Sequence, residues 1–247
     1  MDLLILMVKV LSAFVLAQFI IGPVLVYFSQ KMPKAYQFKR FDSDAFYSQR
    51  TDTFKQLHNT IVDQGFEYVG SSEIVHSHSD MYFSIYNNYE LKVACTLSTA
   101  HSAALETTQI EFTQMYSDGS VVNINNNPIT DVYPRNDKKV TFRFPDVNSF
   151  SELFSIALKL ISAHKTQAHK ITFERGEEFL SIEKHLTDEL NLLIAKAWVS
   201  SKVIDGERKL TVKGAILMTW QLCWPLKLWF NGVDVARSKR ALQKLTV

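Results

Sequence analysis

The pattern of apolar and polar positions divides the chain into three parts, and the first is almost continuously apolar. Residues 3–28 are interrupted only by Lys9, Ser12, Gln18, Gly22 and Pro23. Residues 10–28 alone amount to nineteen, close to the ~20 that a helix needs to cross a hydrocarbon core about 30 Å thick. A lone segment in lipid must satisfy its own backbone hydrogen bonds, so we predict a transmembrane helix within residues 1–30.

A cleaved signal peptide is the alternative for this segment. The chain begins with Met1 and Asp2 and has no early positive charge. Its apolar run also exceeds the roughly 7–15 residues of a typical signal peptide, and no clean small-x-small cleavage site follows. We therefore predict an uncleaved signal anchor.

The charges beside the helix predict its orientation. Lys9 alone precedes the central part of the helix, whereas four basic residues and no acid follow it: Lys31, Lys34, Lys39 and Arg40. The cytoplasmic flank of a transmembrane helix carries the excess of Lys and Arg. We expect a single-pass protein of the cell inner membrane, with its N-terminus outside, residues 31–41 as a basic juxtamembrane linker and the following domain in the cytoplasm.

The second part, residues 42–207, has the periodicities of a folded α+β domain. Apolar positions of residues 42–64 share one helical face and end before Gly65, where a helix C′ glycine belongs. Five alternating or aromatic-rich runs then predict strands: residues 81–86, 89–97, 106–116, 120–124 and 140–144. Asn87-Asn88 and Asp118-Gly119 are plausible two-residue turns, which predicts an antiparallel meander of about five or six strands with one wet face.

Helical periodicity returns after the strands. Ser149 and Glu152 have capping-box spacing before a helix over residues 150–161, and a longer helix is predicted for residues 177–198. A helix, a run of strands and then further helices, without βαβ alternation, indicate the α+β class.

The third part, residues 208–247, joins a short apolar stretch to basic charge. Eight Lys/Arg stand against Asp234 alone, whereas residues 41–207 hold fourteen Lys/Arg against twenty-three Asp/Glu. Residues 215–230 are too few to span a membrane and are interrupted by Pro225 and Lys227. Two interpretations remain open, an amphipathic helix in the membrane interface and a buried helix packed on the sheet. The first predicts membrane contacts by Trp220, Trp224, Trp229, Lys213, Lys227, Arg237, Lys239 and Arg240.

Motifs for catalysis or cofactor binding are scarce. The chain has eight glycines and no two at G-x-G spacing, which excludes a glycine-rich phosphate loop. His76, His78 and Asp80 alternate as strand residues do and, together with His101, could converge on a divalent metal. A polar loop is the simpler interpretation, so we expect no metal site, cofactor or catalytic residue. The two cysteines, Cys95 and Cys223, make no disulfide framework.

These features favour a non-enzymatic, membrane-anchored cytoplasmic module that binds a lipid surface or a protein partner in the membrane. The alternative is a membrane-associated enzyme, with a metal-assisted site near His76 and His78. A degraded winged-helix unit at the C-terminus is less favoured, because Arg208 and Lys209 lie in its hairpin and not on a DNA-recognition helix. The acidic excess of residues 41–207 would also repel the phosphates of a nucleic acid. The expected partner is therefore the anionic inner leaflet and not nucleic acid.

Overall fold

The computed structural model describes residues 2–74, 81–102, 105–129, 132 and 137–245. By its contacts the chain divides into two compact units, each assembled from separate stretches of sequence. Unit 1 comprises Met1–Ala35, Thr130–Pro134 and Leu186–Gly232, and unit 2 comprises Tyr36–Ile129, Arg135–His185 and Val233–Val247. The predicted boundary between residues 207 and 208 falls inside unit 1.

The described elements belong to the predicted α+β class, because a run of consecutive strands is grouped in one sheet and helices precede and follow it. The helices are α1 (Asp2–Ser29), α2 (Ser43–Ser48), α3 (Asp52–Asp63), α4 (Phe150–Ala163), α5 (Glu178–Ala195), α6 (Val212–Leu222) and α7 (Leu226–Gln243). The strands are β1 (Lys31–Pro33), β2 (Phe38–Arg40), β3 (Glu67–Ile74), β4 (Met81–Asn88), β5 (Val93–Ser102), β6 (Leu105–Tyr116), β7 (Val121–Asn125), β8 (Lys139–Arg143), β9 (Lys170–Ile171), β10 (Val199–Ile204) and β11 (Glu207–Leu210).

Unit 1 combines the apolar α1 with a small sheet and with α6. The segment Leu3–Ser29 is long and apolar enough to cross a membrane, and no other helix in the described part of the chain is. The sheet has the strand order β1-β11-β10 with antiparallel pairing. A turn at Asp205-Gly206 joins β10 to β11, and both residues have positive φ, 53° and 79°.

Unit 2 is an eight-stranded sheet with helices packed on it. The strand order is β2-β3-β4-β5-β6-β7-β8, and β9 pairs with the end of β6. The neighbouring pairs from β2 to β7 are antiparallel, which confirms the meander, but β7 and β8 run parallel. A parallel neighbour needs a longer connection than a hairpin, and the length of chain between Asn125 and Lys139 is sufficient for it.

The core of unit 2 lies between one face of the sheet and the helices α2, α3 and α4. Alternate residues of the central strands point into it, as the sequence pattern predicts. The strands contribute Tyr86, Cys95, Leu97, Phe112 and Ile124, and the helices contribute Phe46, Phe54, Ile61, Leu153, Phe154 and Ala157. The aromatic rings of Phe112 and Phe154 stack with centroids 5.2 Å apart.

Two local predictions in this domain are wrong because side chains cap the backbone. The single helix predicted for residues 42–64 is two helices, since the Thr51 side chain accepts from Phe54 N (3.3 Å) and starts α3 anew. Gly65 is in the predicted left-handed conformation (φ 82°). Asn87 and Asn88 are not a turn, since both belong to β4. The turn takes residues 89–92, and Asn88 Oδ1 accepts from Leu91 N (2.9 Å).

The apolar stretch of residues 215–230 also differs from the prediction of one helix. It forms the end of α6 and the start of α7, separated at the cis Trp224–Pro225 bond. Pro225 has no N–H to donate to a helix, which accounts for the break. Trp220, Trp224 and Trp229 are 44%, 45% and 62% exposed, so these tryptophans are not core residues.

Candidate functional site

The edge strand β8 is covered by the C-terminal half of α7. Arg143 N donates to Ser238 Oγ at 2.8 Å, and Arg237 Nη2 donates to the Thr141 carbonyl at 2.9 Å. Both strand groups belong to the edge that no other strand pairs. An unpaired edge is a template for association with other chains. The helix therefore closes the sheet and is fixed against it.

Buried charge fixes the position of α7 along the strand. The Arg143 side chain is 3% exposed and lies 3.9 Å from the Asp234 carboxylate. Its Nη2 donates to the Asn127 carbonyl at 2.9 Å, and Ser238 Oγ donates to the Asp234 carbonyl at 2.8 Å. Buried charges are tolerated only when they are paired and hydrogen-bonded. A shift of α7 by one residue would break these contacts together.

Between α7 and α4 this arrangement leaves an open groove of about 710 Å³. Its walls are mainly apolar and come from α4, β8 and α7: Phe142, Leu160, Ala163, Val233, Ala236, Ala241 and Leu245. The volume lies within the roughly 300–1,000 Å³ of small-molecule sites, which are lined mostly by apolar side chains. We call this feature the α4–α7 groove.

The polar part of the α4–α7 groove is entirely basic. It consists of His164 and Lys165 after α4 together with Arg237, Arg240 and Lys244 on the α7 side, and the described lining includes no carboxylate. Lys165, Arg240 and Lys244 make no ion pair with any described residue. Unit 2 as a whole has nineteen acidic and eighteen basic residues in sequence, so a lining with basic side chains and no described carboxylate is a local concentration of positive charge.

The tyrosine beside the groove adds no negative charge. The Tyr116 and His164 rings lie with centroids 5.2 Å apart. Burial, with a smaller contribution from Asp118, raises the pKa of Tyr116, so its phenol stays neutral at physiological pH. The groove thus offers apolar surface and positive charge, and its described lining contains no Ser, Cys, Asp or Glu side chain for nucleophilic or acid catalysis. Such a lining suits an amphiphilic anion.

The predicted membrane-contact residues divide between the two units. Trp220, Trp224, Trp229, Lys213 and Lys227 belong to unit 1, and Lys213 Nζ donates to the Lys196 carbonyl at 2.9 Å. In unit 2, Arg237 and Arg240 line the α4–α7 groove, whereas Lys239 pairs with Asp146 at 2.7 Å on the surface. Their contact with lipid stays a prediction.

The candidate metal residues fall largely outside this description. His76, His78 and Asp80 lie outside the described residues, and His101 is in β5 with its side chain outside them. Within the described ranges no group of three His, Cys, Asp or Glu side chains is placed to hold a metal ion.

Sequence reasoning missed the α4–α7 groove, although part of its signal was present. Arg237, Arg240 and Lys244 are spaced by three and four residues, which places them on one helical face. That spacing distinguishes these three basic residues from Lys239, which does not share it. The contribution of His164 and Lys165 had no such signal, because only tertiary packing brings α4 beside α7.

No family model, curated protein or solved structure matches the chain.

Proposed function

We propose that this protein is a membrane-anchored, non-enzymatic module that holds an anionic membrane lipid in the α4–α7 groove. The observation that carries the proposal is the pairing of an apolar groove with a rim of basic side chains and no carboxylate in its described lining. An acyl chain matches the walls, and a phosphate headgroup matches the rim.

The two parts of such a ligand contribute different kinds of binding energy. Burial of an acyl chain yields about 0.8 kcal/mol per methylene group and does not depend on salt. Each basic side chain near an anionic headgroup adds about 1 kcal/mol, which salt screens. The rim should therefore discriminate between anionic and zwitterionic lipids, while the walls supply affinity for both.

The remaining sequence features are consistent with this role. We propose that α1 anchors the chain in the inner membrane with its N-terminus outside, because Lys31, Lys34, Lys39 and Arg40 follow the helix. The domain would then be on the cytoplasmic side, next to a leaflet rich in anionic lipid. The excess of Asp and Glu over Lys and Arg in residues 41–207 would oppose non-specific adhesion to that leaflet and leave the groove as the favourable site.

The proposal is tested by titrating the full-length chain in mild detergent with short-chain phosphatidylglycerol or phosphatidylcholine and counting bound lipids by native mass spectrometry. We expect one phosphatidylglycerol per chain, bound more tightly than phosphatidylcholine. The double variant Arg240→Glu with Lys244→Glu should lose at least about tenfold in affinity for phosphatidylglycerol, since two favourable charges become repulsive.

The matched control is Lys159→Glu with Lys184→Glu, which changes the net charge equally at two exposed lysines outside the groove. This control should bind like the unchanged chain. Equal losses of affinity for phosphatidylglycerol in both double variants would show that the effect depends only on net charge, which would contradict the proposal. Capture of a protein in place of lipid, lost in the groove variant, would favour the protein-partner alternative.

Nucleic-acid binding and catalysis are not proposed. The order α5, β10, β11, α6 does contain the helix, hairpin and helix of the winged-helix hypothesis. However, α6 packs on the apolar α1, and the Arg208 guanidinium is engaged by the Ser201 carbonyl. No observation in the described residues favours an enzyme site.

A further inference from the structure

The strand pair β1–β11 holds the end of α1 next to the beginning of α6. Lys31, two residues after α1, pairs with Lys209, three residues before α6. The Lys31 amino group also binds the Glu207 carboxylate at 2.6 Å. The two helices therefore leave the same small sheet from adjacent strands.

From that sheet α6 runs antiparallel along α1. Gly22 of α1 lies against Thr219, and further from the sheet the rings of Phe19 and Trp220 meet with centroids 6.5 Å apart. As residue numbers rise along α6, those of its partners on α1 fall. The contact is thus directed along the axis of α1 and not across it.

These contacts place the end of α6 deep along the predicted span. Phe19 is ten residues from Ser29, which is about 15 Å of helix at 1.5 Å per residue. That distance is about half of a ~30 Å hydrocarbon core. Phe19 is also the middle residue of the predicted span, residues 10–28.

The composition of α6 suits such a position. Lys213 is the only charged residue between Val212 and Trp224, and it lies at the end near the sheet, where its amino group reaches the Lys196 carbonyl. Thr219 is buried, and its hydroxyl donates to the Ala215 carbonyl at 2.7 Å. Val212 and Trp220 remain 63% and 44% exposed, and Ile216, Leu217 and Leu222 are partly exposed. Beyond Lys213 the outer face of α6, the surface that the described residues leave uncovered, is therefore mainly apolar.

We propose that α6 and the turn at Cys223–Pro225 insert into the bilayer beside α1, as a helix that enters one leaflet and returns to the same side. This proposal rests on α1 as a membrane anchor and replaces the predicted helix in the membrane plane. The occupant of the outer face of α6 is the acyl region of lipid, because α1 already places this level within the hydrocarbon. Lys227 limits the depth, since its amino group must reach the headgroups through its four-carbon stem.

The two cysteines provide a natural test. Cys95 is fully buried in the core of unit 2, whereas Cys223 is only partly covered by protein. Open membrane fragments carrying the full-length chain would be treated with a charged, membrane-impermeant maleimide or with a lipid-soluble one. A solvent-exposed reference is Ser201→Cys in a Cys223→Ser background, and Cys223→Ser alone measures any labelling of Cys95.

We expect the charged reagent to label Cys223 at least about tenfold more slowly than the Ser201→Cys reference, and the lipid-soluble reagent to label it readily. Rapid labelling by the charged reagent would place Cys223 at the interface and overturn the insertion. Labelling by neither reagent would make the segment protein core and overturn it as well. Release of the chain from the membrane by alkaline extraction would instead show that α1 is not a membrane anchor, and the insertion of α6 would fall with it. Lipid binding in the α4–α7 groove is scored separately by the Arg240 and Lys244 variants.

Discussion

Gly22 of α1 and Thr219 of α6 approach so closely that a Cβ atom on Gly22 would lie 2.6 Å from Thr219 Cγ2. Real Cβ atoms essentially never come that near another heavy atom. The missing side chain is thus what allows the two helices to touch. Small residues serve this purpose between helices in lipid, where packing and not the hydrophobic effect holds helices together.

The first prediction follows from this contact. Gly22→Val should force α6 away from α1 and destabilise the full-length chain in detergent, since overpacking typically costs about 1–3 kcal/mol. The matched control is Gly232→Val, because a Cβ at Gly232 meets nothing within 4 Å. Thermal unfolding should show a Tm several degrees lower for the Gly22 variant alone. Equal losses in both variants would mean that the contact between α1 and α6 is not what the substitution disturbs.

A second prediction concerns the shape of the α4–α7 groove. Ala236 lines the groove and is exposed, so Ala236→Trp fills the space without removing a buried contact. We expect the variant to keep its fold and to lose binding of both phosphatidylglycerol and phosphatidylcholine, because the apolar walls serve both lipids. Ser155→Trp, on the exposed face of α4 outside the groove, is the control and should bind normally. Unchanged binding by Ala236→Trp would place the lipid elsewhere.

The regular elements were predictable because they depend on local periodicity. The strands around Cys95 and Phe112 alternate cleanly, and Gly119 and Gly206 stand where turns need positive φ. Ser149 caps α4 by accepting from Glu152 N, as its spacing indicates. The class and most elements follow from such signals.

Long-range pairing was not predictable in the same way. Asn125 lies just beyond the strand predicted for residues 120–124, yet it belongs to β7, where the amide groups of Asn123 and Asn125 donate to the Glu111 carboxylate at 3.4 Å and 3.0 Å. The partner is on β6, twelve or more residues away, so no local pattern reveals it. The parallel pairing of β7 with β8 and the meeting of α4 with α7 depend on tertiary packing for the same reason.

The third prediction tests how α7 is held on the sheet. Ser238 is fully buried, and its Oγ accepts from Arg143 N. Ser238→Ala should therefore leave a buried N–H unsatisfied and lower the free energy of unfolding by about 1–3 kcal/mol. In Ser162→Ala the lost hydroxyl is exposed and donates to a carbonyl of its own helix, so that control should change little. Urea unfolding of the full-length chain compares the two, and a loss no larger than that of the control would remove Ser238 as an anchor.

A fourth prediction concerns orientation. If the basic residues after α1 keep that flank in the cytoplasm, a reporter enzyme that is active only outside the inner membrane should be silent when fused after Val247. Changing Lys31, Lys34, Lys39 and Arg40 together to Gln should allow part of the population to invert and raise reporter activity. A reporter that is fully active on the unchanged chain would reverse the proposed topology.

The fifth prediction links pH to stability through His58 and Tyr86. Their side chains are joined at 2.9 Å between His58 Nδ1 and Tyr86 Oη. Burial strongly raises the pKa of Tyr86, so the phenol keeps its proton and can donate it to a neutral Nδ1. Burial also lowers the pKa of His58 below its ordinary value of 6.5, because the charged imidazolium is poorly solvated there.

The direction of the effect follows from proton linkage. Below about pH 6.5 the unfolded chain binds a proton at His58 more readily than the folded chain does. The contribution of His58 to the free energy of unfolding is therefore fully present above that pH. It declines as the pH falls towards the lower pKa that His58 has in the folded state. The decline should be modest, since His58 is only partly buried. The carboxylates of Glu67 and Asp118 have pKa values lowered from 4.5 and 3.8, so they lose their contributions at more acid pH.

His58→Gln separates the titration from the hydrogen bond, because a Gln carbonyl can accept from Tyr86 but does not bind a proton in this range. Urea unfolding from about pH 7.5 to 5.5 should show a decline for the unchanged chain and a flatter profile for the variant. His169→Gln, at an exposed histidine, should follow the unchanged chain. If His58→Gln keeps the full pH dependence, another group controls stability in this window, and the neutral His58 is only a packing element of the core.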